Sequence, residues 1–156
     1  MSGETPDNPG VAVPPPLLYA GALATGLLAN RLFPSPSVPR GISRVLGWPL
    51  ILSGLTIGSL AFREMKRAGT NVDPREPTTA VVTDGPYRFT RNPLYLSMTL
   101  IYVGITALAN ALAPVFLLPV VLHLMRRGVI EREERYLERK FGEEYLSYKA
   151  RVRRWL

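Results

Sequence analysis

Residues 92–125 form a run of 34 positions without a single Asp, Glu, Lys or Arg. No surface helix of a water-soluble domain has that pattern, because its outward face needs polar residues. As one helix the run would reach about 51 Å, well beyond a hydrocarbon core of about 30 Å. Two crossings need about 40 residues, so a tight hairpin is the arrangement that nearly fits. The break falls at Ala109-Asn110-Ala111 followed by Pro114, which predicts helices over about 93–108 and 111–125.

The rest of the chain repeats the segregation. Residues 8–30 and 45–62 are also free of charge, and the three windows cover 75 of the 156 residues. The 19 Lys and Arg and 12 Asp and Glu, for a net charge of +7, crowd into 63–91 and 126–156. Apolar blocks between charged blocks predict an all-α integral membrane protein with about four transmembrane helices. The first span is expected over about 17–33 and the second over about 45–62. The segment from 1 to 16, with Glu4, Asp7 and five prolines, reads as an irregular N-terminal tail. Residues 17–62 form a two-helix membrane region, and 63–156 hold the remaining hairpin, loop and tail. Both termini and the 63–91 loop then share one side. That side carries sixteen Lys and Arg against three (Arg31, Arg40, Arg44) opposite, which places it in the cytoplasm.

The basic balance does not point to nucleic acid, since the arginines flank bilayer-length segments and suit anionic head groups. With no cysteine, disulfides, thiolate metal sites and Cys nucleophiles are excluded. No metal site is expected. His123 reads as a hydrogen-bonded interior residue rather than a base.

Beyond residue 125 the apolar positions Ile130, Leu137, Phe141, Tyr145, Tyr148, Val152 and Trp155 follow at helical spacing. They define one face of an amphipathic tail helix at the cytoplasmic surface, with Gly142 as a point of bending. Glu133 and Glu134 sit on its apolar side, where a carboxylate needs a partner or a bound cation. Glu131 is expected to pair with Arg135 on the solvated face. In the preceding loop, Gly85-Pro86 marks a turn. Asn92-Pro93 marks a helix start, with Asn92 as the cap and an anion-favouring first turn beside Arg88 and Arg91.

The motifs Gly85-Pro86-Tyr87-x3-Arg91-Asn92-Pro93-x-Tyr95, Glu133-Glu134-x-x-Leu137 and Phe141-Gly142-x-x-Tyr145-x-x-Tyr148 occur in that order around the hairpin. They resemble the superfamily of isoprenylcysteine carboxyl methyltransferases and phospholipid methyltransferases, over roughly residues 81–156. The isoprenylcysteine branch typically has His at position 92; Asn there still makes hydrogen bonds but cannot titrate. The resemblance implies a membrane enzyme that uses S-adenosylmethionine. Its cofactor would be bound by Tyr87, Arg91, Asn92, Pro93, Tyr95, Glu133 and Glu134. Tyr145 and Tyr148 would touch the substrate, and Arg151 and Arg153 would act on the acceptor as catalytic groups. The acceptor is expected to be lipophilic, such as a prenylcysteine carboxylate, with membrane lipids as neighbours. The alternatives are a phospholipid amine N-methyltransferase, a lipid-binding or scaffold membrane protein, and a membrane reductase.

Overall fold

Pro15 and Pro16 open the first helix, where a missing N–H removes no helical hydrogen bond. That helix, α1 (Pro15–Leu32), is followed by α2 (Arg40–Arg67), α3 (Pro93–Leu108) and α4 (Ala113–Met125). A π-helical turn at Arg126–Ile130 then leads into α5 (Glu131–Phe141), and α6 (Glu143–Arg151) follows after Gly142. The computed structural model describes residues 7–34 and 38–156; Glu4 and Pro6 of the expected irregular tail lie outside the described residues. Among the described residues the chain is all-helical, without a strand.

The hairpin falls where the sequence places it, with the break at Asn110, whose φ is +53°. Asn tolerates that left-handed conformation better than most side chains. Its side chain also binds the neighbouring loop reciprocally. The Val38 N–H donates to Asn110 Oδ1 at 3.0 Å, and Asn110 Nδ2 donates to the Val38 carbonyl at 2.7 Å. A charge-free tip is thereby tied to the α1–α2 connection.

Three expectations change. The second apolar helix is longer than 45–62, running from Arg40 to Arg67, because Arg and Lys at its ends continue the helix rather than stop it. The tail is not a separate helix from residue 126, since α4 and α5 form one helix, Ala113–Phe141. It divides instead at Gly142, whose φ of +52° ends α5. His123 is exposed on the outer face of α4, not buried in the bundle. Two helices, Arg40–Arg67 and Ala113–Phe141, are long and apolar enough to cross a membrane. α3 is also apolar but shorter.

Helix pairs α1–α4 and α2–α3 pack together. Between α2 and α3 the backbones nearly touch. A Cβ at Gly54 would lie 2.7 Å from Ile101 Cγ1 and 2.9 Å from the Ser97 carbonyl; one at Gly104 would lie 2.6 Å from Ile51 Cγ1. Ser97 Oγ donates across the same gap to the Gly54 carbonyl at 2.7 Å. Small residues with an interhelical hydroxyl bond are how apolar helices associate where lipid offers no hydrophobic drive. The outward faces carry Val45, Trp48, Leu52 and Leu55 on α2 and Val115, Phe116 and Val120 on α4, all exposed. A belt of that kind suits lipid tails and not water.

The inner core gathers Tyr19, Tyr95, Tyr102, Met125, Val129 and Ile130. The Tyr102 hydroxyl donates to the Pro114 carbonyl at 2.7 Å, so the ring is buried without an orphaned polar atom. Gly54→Leu should force α2 and α3 apart and cost about 1–3 kcal/mol, as overpacking does. Thermal unfolding in detergent should show a lowered midpoint for Gly54→Leu and none for Gly21→Leu, where an added Cβ meets nothing within 4 Å.

Candidate functional site

At the charged end of the bundle, the loop 70–82, the start of α3, α5 and α6 enclose a cavity. Its outer wall includes Pro9, Asp73 and Tyr136; its inner wall is built from Tyr87, Arg91, Asn92, Pro93, Tyr95, Glu133, Glu134, Tyr145 and Tyr148. Those nine are the residues the sequence singles out for cofactor and substrate, and the fold brings them to one place. Residues 87–95 and 133–148 meet there because the hairpin returns the chain to the end from which it left.

The two adjacent glutamates have different partners. Glu134 is buried and faces two arginines. Arg154 Nε and Nη2 grip it from one side at 2.9 and 2.7 Å, and Arg91 Nη1 lies 3.2 Å from Oε1. The bidentate guanidinium geometry fixes the Glu134 side chain as well as its charge. Among the described residues no cation pairs with Glu133. Its Oε1 takes the Tyr95 hydroxyl at 2.5 Å, and Glu134 lies beside it in sequence. Arg91 is almost fully covered, yet its Nε and Nη1 lack a well-aligned hydrogen bond. A half-buried carboxylate and a nearly covered guanidinium whose Nε lacks a hydrogen-bond partner thus share a cavity.

The tyrosines are rigid walls rather than ionisable groups. Burial raises the Tyr87 and Tyr148 hydroxyls well above their ordinary value, and pushes Tyr145 up to about 12. All three stay protonated at neutral pH. Tyr148 donates to the Tyr87 carbonyl at 2.8 Å, which pins α6 onto the 3-10 turn Gly85–Arg88. By contrast Asp73 is held ionised, lowered to about 2 by its hydrogen bonds to Arg75.

Asn92 occupies the N-cap position of α3 but makes no side-chain cap bond. Its amide instead donates to the Arg154 carbonyl at 2.9 Å, as Thr90 Oγ1 does at 3.0 Å. The Arg91 N–H donates to the Arg153 carbonyl at 2.9 Å. The chain end is therefore stitched to the loop before α3. Arg151 and Arg153 do not reach the cavity. Both side chains are exposed, and Arg151 Nε donates to the Ser147 carbonyl of its own helix. Arg154, the neighbour that sequence reasoning passed over, is the one that turns inward. Tyr136 and Pro9 were also missed. Glu131 pairs with Arg126 and Arg127 rather than Arg135. Among the described residues no group of three or more His, Cys, Asp and Glu side chains could hold a metal ion.

The profile of phospholipid methyltransferases matches residues 42–144. The chain belongs to the phospholipid methyltransferase family. The match spans α2 to the start of α6 and so contains every cavity residue but Pro9, Tyr145 and Tyr148. It makes the protein a membrane methyltransferase of a family that acts on lipid-type substrates and generally uses S-adenosylmethionine. An uncharacterized protein of Haemophilus influenzae is 47% identical over 64 residues, covering 40% of this chain and all of that protein. The cobalt-zinc-cadmium resistance protein CzcN of Cupriavidus metallidurans is 28% identical over 153 residues, covering 76% of this chain and 70% of CzcN. No solved structure matches the chain.

Removing the shared carboxylate should be severe. Glu134→Ala leaves two guanidinium groups facing each other without an anion, and loss of one partner from a buried pair costs about 3–5 kcal/mol. A thermal or chemical unfolding curve of the ligand-free protein should show that loss, whereas Arg88→Ala, at an exposed pair with Asp84, should leave the curve unchanged.

Proposed function

We propose that the protein transfers a methyl group from S-adenosylmethionine to a lipophilic acceptor at the cytoplasmic face of a membrane. The observation that carries this reading is the pairing of opposite needs in one cavity: Glu133 pairs with no cation among the described residues, and Arg91 Nε lacks a hydrogen-bond partner. An amino-acid moiety meets both needs, its ammonium at Glu133 and its carboxylate at Arg91 and the first turn of α3. Glu134 is already occupied by two arginines, so its part is to hold Arg91 in place. Tyr87, Tyr145 and Tyr148 offer flat, uncharged walls to an adenine.

When bound, S-adenosylmethionine supplies a methyl group on a sulfonium, already activated for in-line displacement. The chain's own contribution is to position the ligand and exclude water. A carboxylate acceptor, such as that of a prenylcysteine, is ionised at pH 7 and needs no base. A second cavity of about 800 Å³ lies beside the first, between Pro14–Pro16, Leu55 and Phe62 on α2, and Leu94 and Met98 on α3. Val72, Asp73, Pro74, Leu94 and Tyr95 line both cavities. An apolar space of this size next to lipid-facing helices suits the hydrocarbon part of the acceptor. Four crossings would put the cavity and both termini on one side, and the sixteen-to-three distribution of Lys and Arg then makes that side cytoplasmic.

Two experiments test the reading. Calorimetry with S-adenosylhomocysteine should give stoichiometric binding by the detergent-solubilised protein. Glu133→Gln should weaken it by about 10- to 150-fold, the equivalent of a charge-assisted hydrogen bond of about 1.5–3 kcal/mol. Arg91→Ala should weaken it more than Arg88→Ala. Wild-type affinity in Glu133→Gln would remove the assignment of the ammonium.

For the acceptor, methyl transfer from labelled S-adenosylmethionine is measured to a prenylcysteine analogue and, separately, to phosphatidylethanolamine. Met98→Trp, which fills the second cavity, should raise the apparent KM for the productive acceptor and leave S-adenosylhomocysteine affinity unchanged. Equal turnover of a small water-soluble acceptor would rule out the second cavity as the acceptor's place.

A further inference from the structure

The cavity assigned to the cofactor measures about 120 Å³ in the conformation described, against about 300 Å³ or more for ordinary small-molecule sites. Its donors and acceptors suit the ligand, so each wall matters by how readily it can yield room. The walls differ in how they are held. α3, α5 and α6 are joined by the Glu134 arginine pairs and by buried tyrosines. The N-terminal segment ahead of α1 is held otherwise. Pro9, buried, forms part of the cavity wall. On either side of it the segment is fastened by polar bonds at the surface. The Asp7 carboxylate takes Lys140 Nζ at 2.7 Å on both oxygens and the Tyr136 hydroxyl at 2.8 Å. The Gly10 carbonyl takes Arg132 Nη1 at 2.7 Å. Only at Val11 does the chain enter the apolar core, beside Tyr19, Met125 and Ile130.

We propose that residues 7–10 are a clasp over the cofactor cavity, hinged at Gly10 and Val11 and fastened by Asp7 on Lys140. The proposal rests on the cofactor reading of the cavity above and concerns a segment that precedes the family match at residue 42. The geometry gives it a fixed end, a loose end and a hinge. Val11 and the start of α1 are the fixed end. Gly10, with φ at +68°, is the pivot, in a region of backbone space that L side chains rarely adopt. The loose end is held by an ion pair whose Asp7 side chain is 62% exposed, and exposed pairs are weak and screened by salt.

Tyr136 makes the clasp more than a cover. Its ring lines the cavity, and its hydroxyl donates to Asp7 and accepts the Thr78 N–H at 3.2 Å. The clasp, the 70–82 loop and α5 therefore meet on one oxygen atom. Opening at Asp7 takes away the acceptor of the Tyr136 hydroxyl, whose oxygen keeps Lys140 Nζ at 2.9 Å and the Thr78 N–H. Lys140 and Tyr136 hold the Asp7 carboxyl below its usual range, so the fastening is charged at neutral pH.

A clasp predicts a kinetic signature that a static wall does not. The test uses the full chain in detergent and labelled S-adenosylhomocysteine, with association and dissociation rates measured separately from equilibrium affinity. Asp7→Lys should accelerate both rates by the same factor, about 1.5- to 5-fold, as expected for an exposed ion pair, and leave affinity near the wild-type value. The exchange Asp7→Lys with Lys140→Asp should restore the wild-type rates. Added salt should speed the wild type and slow Asp7→Lys, bringing the two together, because it screens the attraction in one and the repulsion from Lys140 in the other. If wild-type protein binds the ligand and Asp7→Lys exchanges it at the wild-type rate, the clasp is wrong and the cofactor reading stands. If Asp7→Lys lowers affinity without speeding association, the segment is a fixed wall and the clasp is again overturned. If the wild type binds no S-adenosylhomocysteine, the cofactor reading fails and takes the clasp with it.

Discussion

A single buried carboxylate, Glu134, holds the charged end of the molecule together. It joins α5 to the loop before α3 through Arg91 and to the chain end through Arg154. Removing Glu134 would leave two guanidinium groups uncompensated in a site with little access to water, where the cost is largest. The backbone bonds from Arg91, Thr90 and Asn92 to the carbonyls of Arg153 and Arg154 follow the same seam. Three segments far apart in sequence are locked in register, and the cavity is the space between them. Glu134 is spent on this frame, whereas its neighbour Glu133 pairs with no cation among the described residues. The division of labour comes from geometry: one residue's step along α5 separates a carboxylate gripped by two guanidinium groups from one touched only by a phenol.

The apolar end follows a different rule. There the helices have no charges to pair, and lipid removes the hydrophobic reason to associate. Contact comes from missing side chains at Gly54 and Gly104, from hydroxyl bonds such as those of Ser97 and Tyr102, and from Asn110 binding Val38 in both directions. The two ends together explain how so short a chain presents a polar cavity beside an apolar one. The helices pack closely at Gly54 and Gly104, then leave room nearer the charged end, where Pro14–Pro16 and the 70–82 loop complete the walls.

Much of the site was legible in the sequence because motif spacing and helical periodicity survive folding. Tyr87, Arg91, Asn92, Pro93, Tyr95, Glu133, Glu134, Tyr145 and Tyr148 all line one cavity. The less legible positions are those whose direction depends on a break. Gly142, with its positive φ, rotates α6 relative to α5, so periodicity carried across it does not tell which of Arg151, Arg153 and Arg154 faces inward. Arg154 does, and the other two stay at the surface. His123 illustrates the same point on α4: one polar residue in an apolar helix has no periodic partner to say which face it takes.

The sequence by itself determined that the chain is helical, that its charges segregate to one end, and where the hairpin turns. Each of these depends on local composition, on the absence of charge over a length comparable with a bilayer, or on a turn residue. Only the tertiary structure decided that Glu134 is consumed by two arginines while Glu133 is not, and that Pro9 closes the cavity from 124 residues before Glu133. Those outcomes depend on which distant groups arrive at the same carboxylate or the same wall. The physical reason is that a side chain's free valence is set by everything packed around it, and packing joins positions that no sequence window contains.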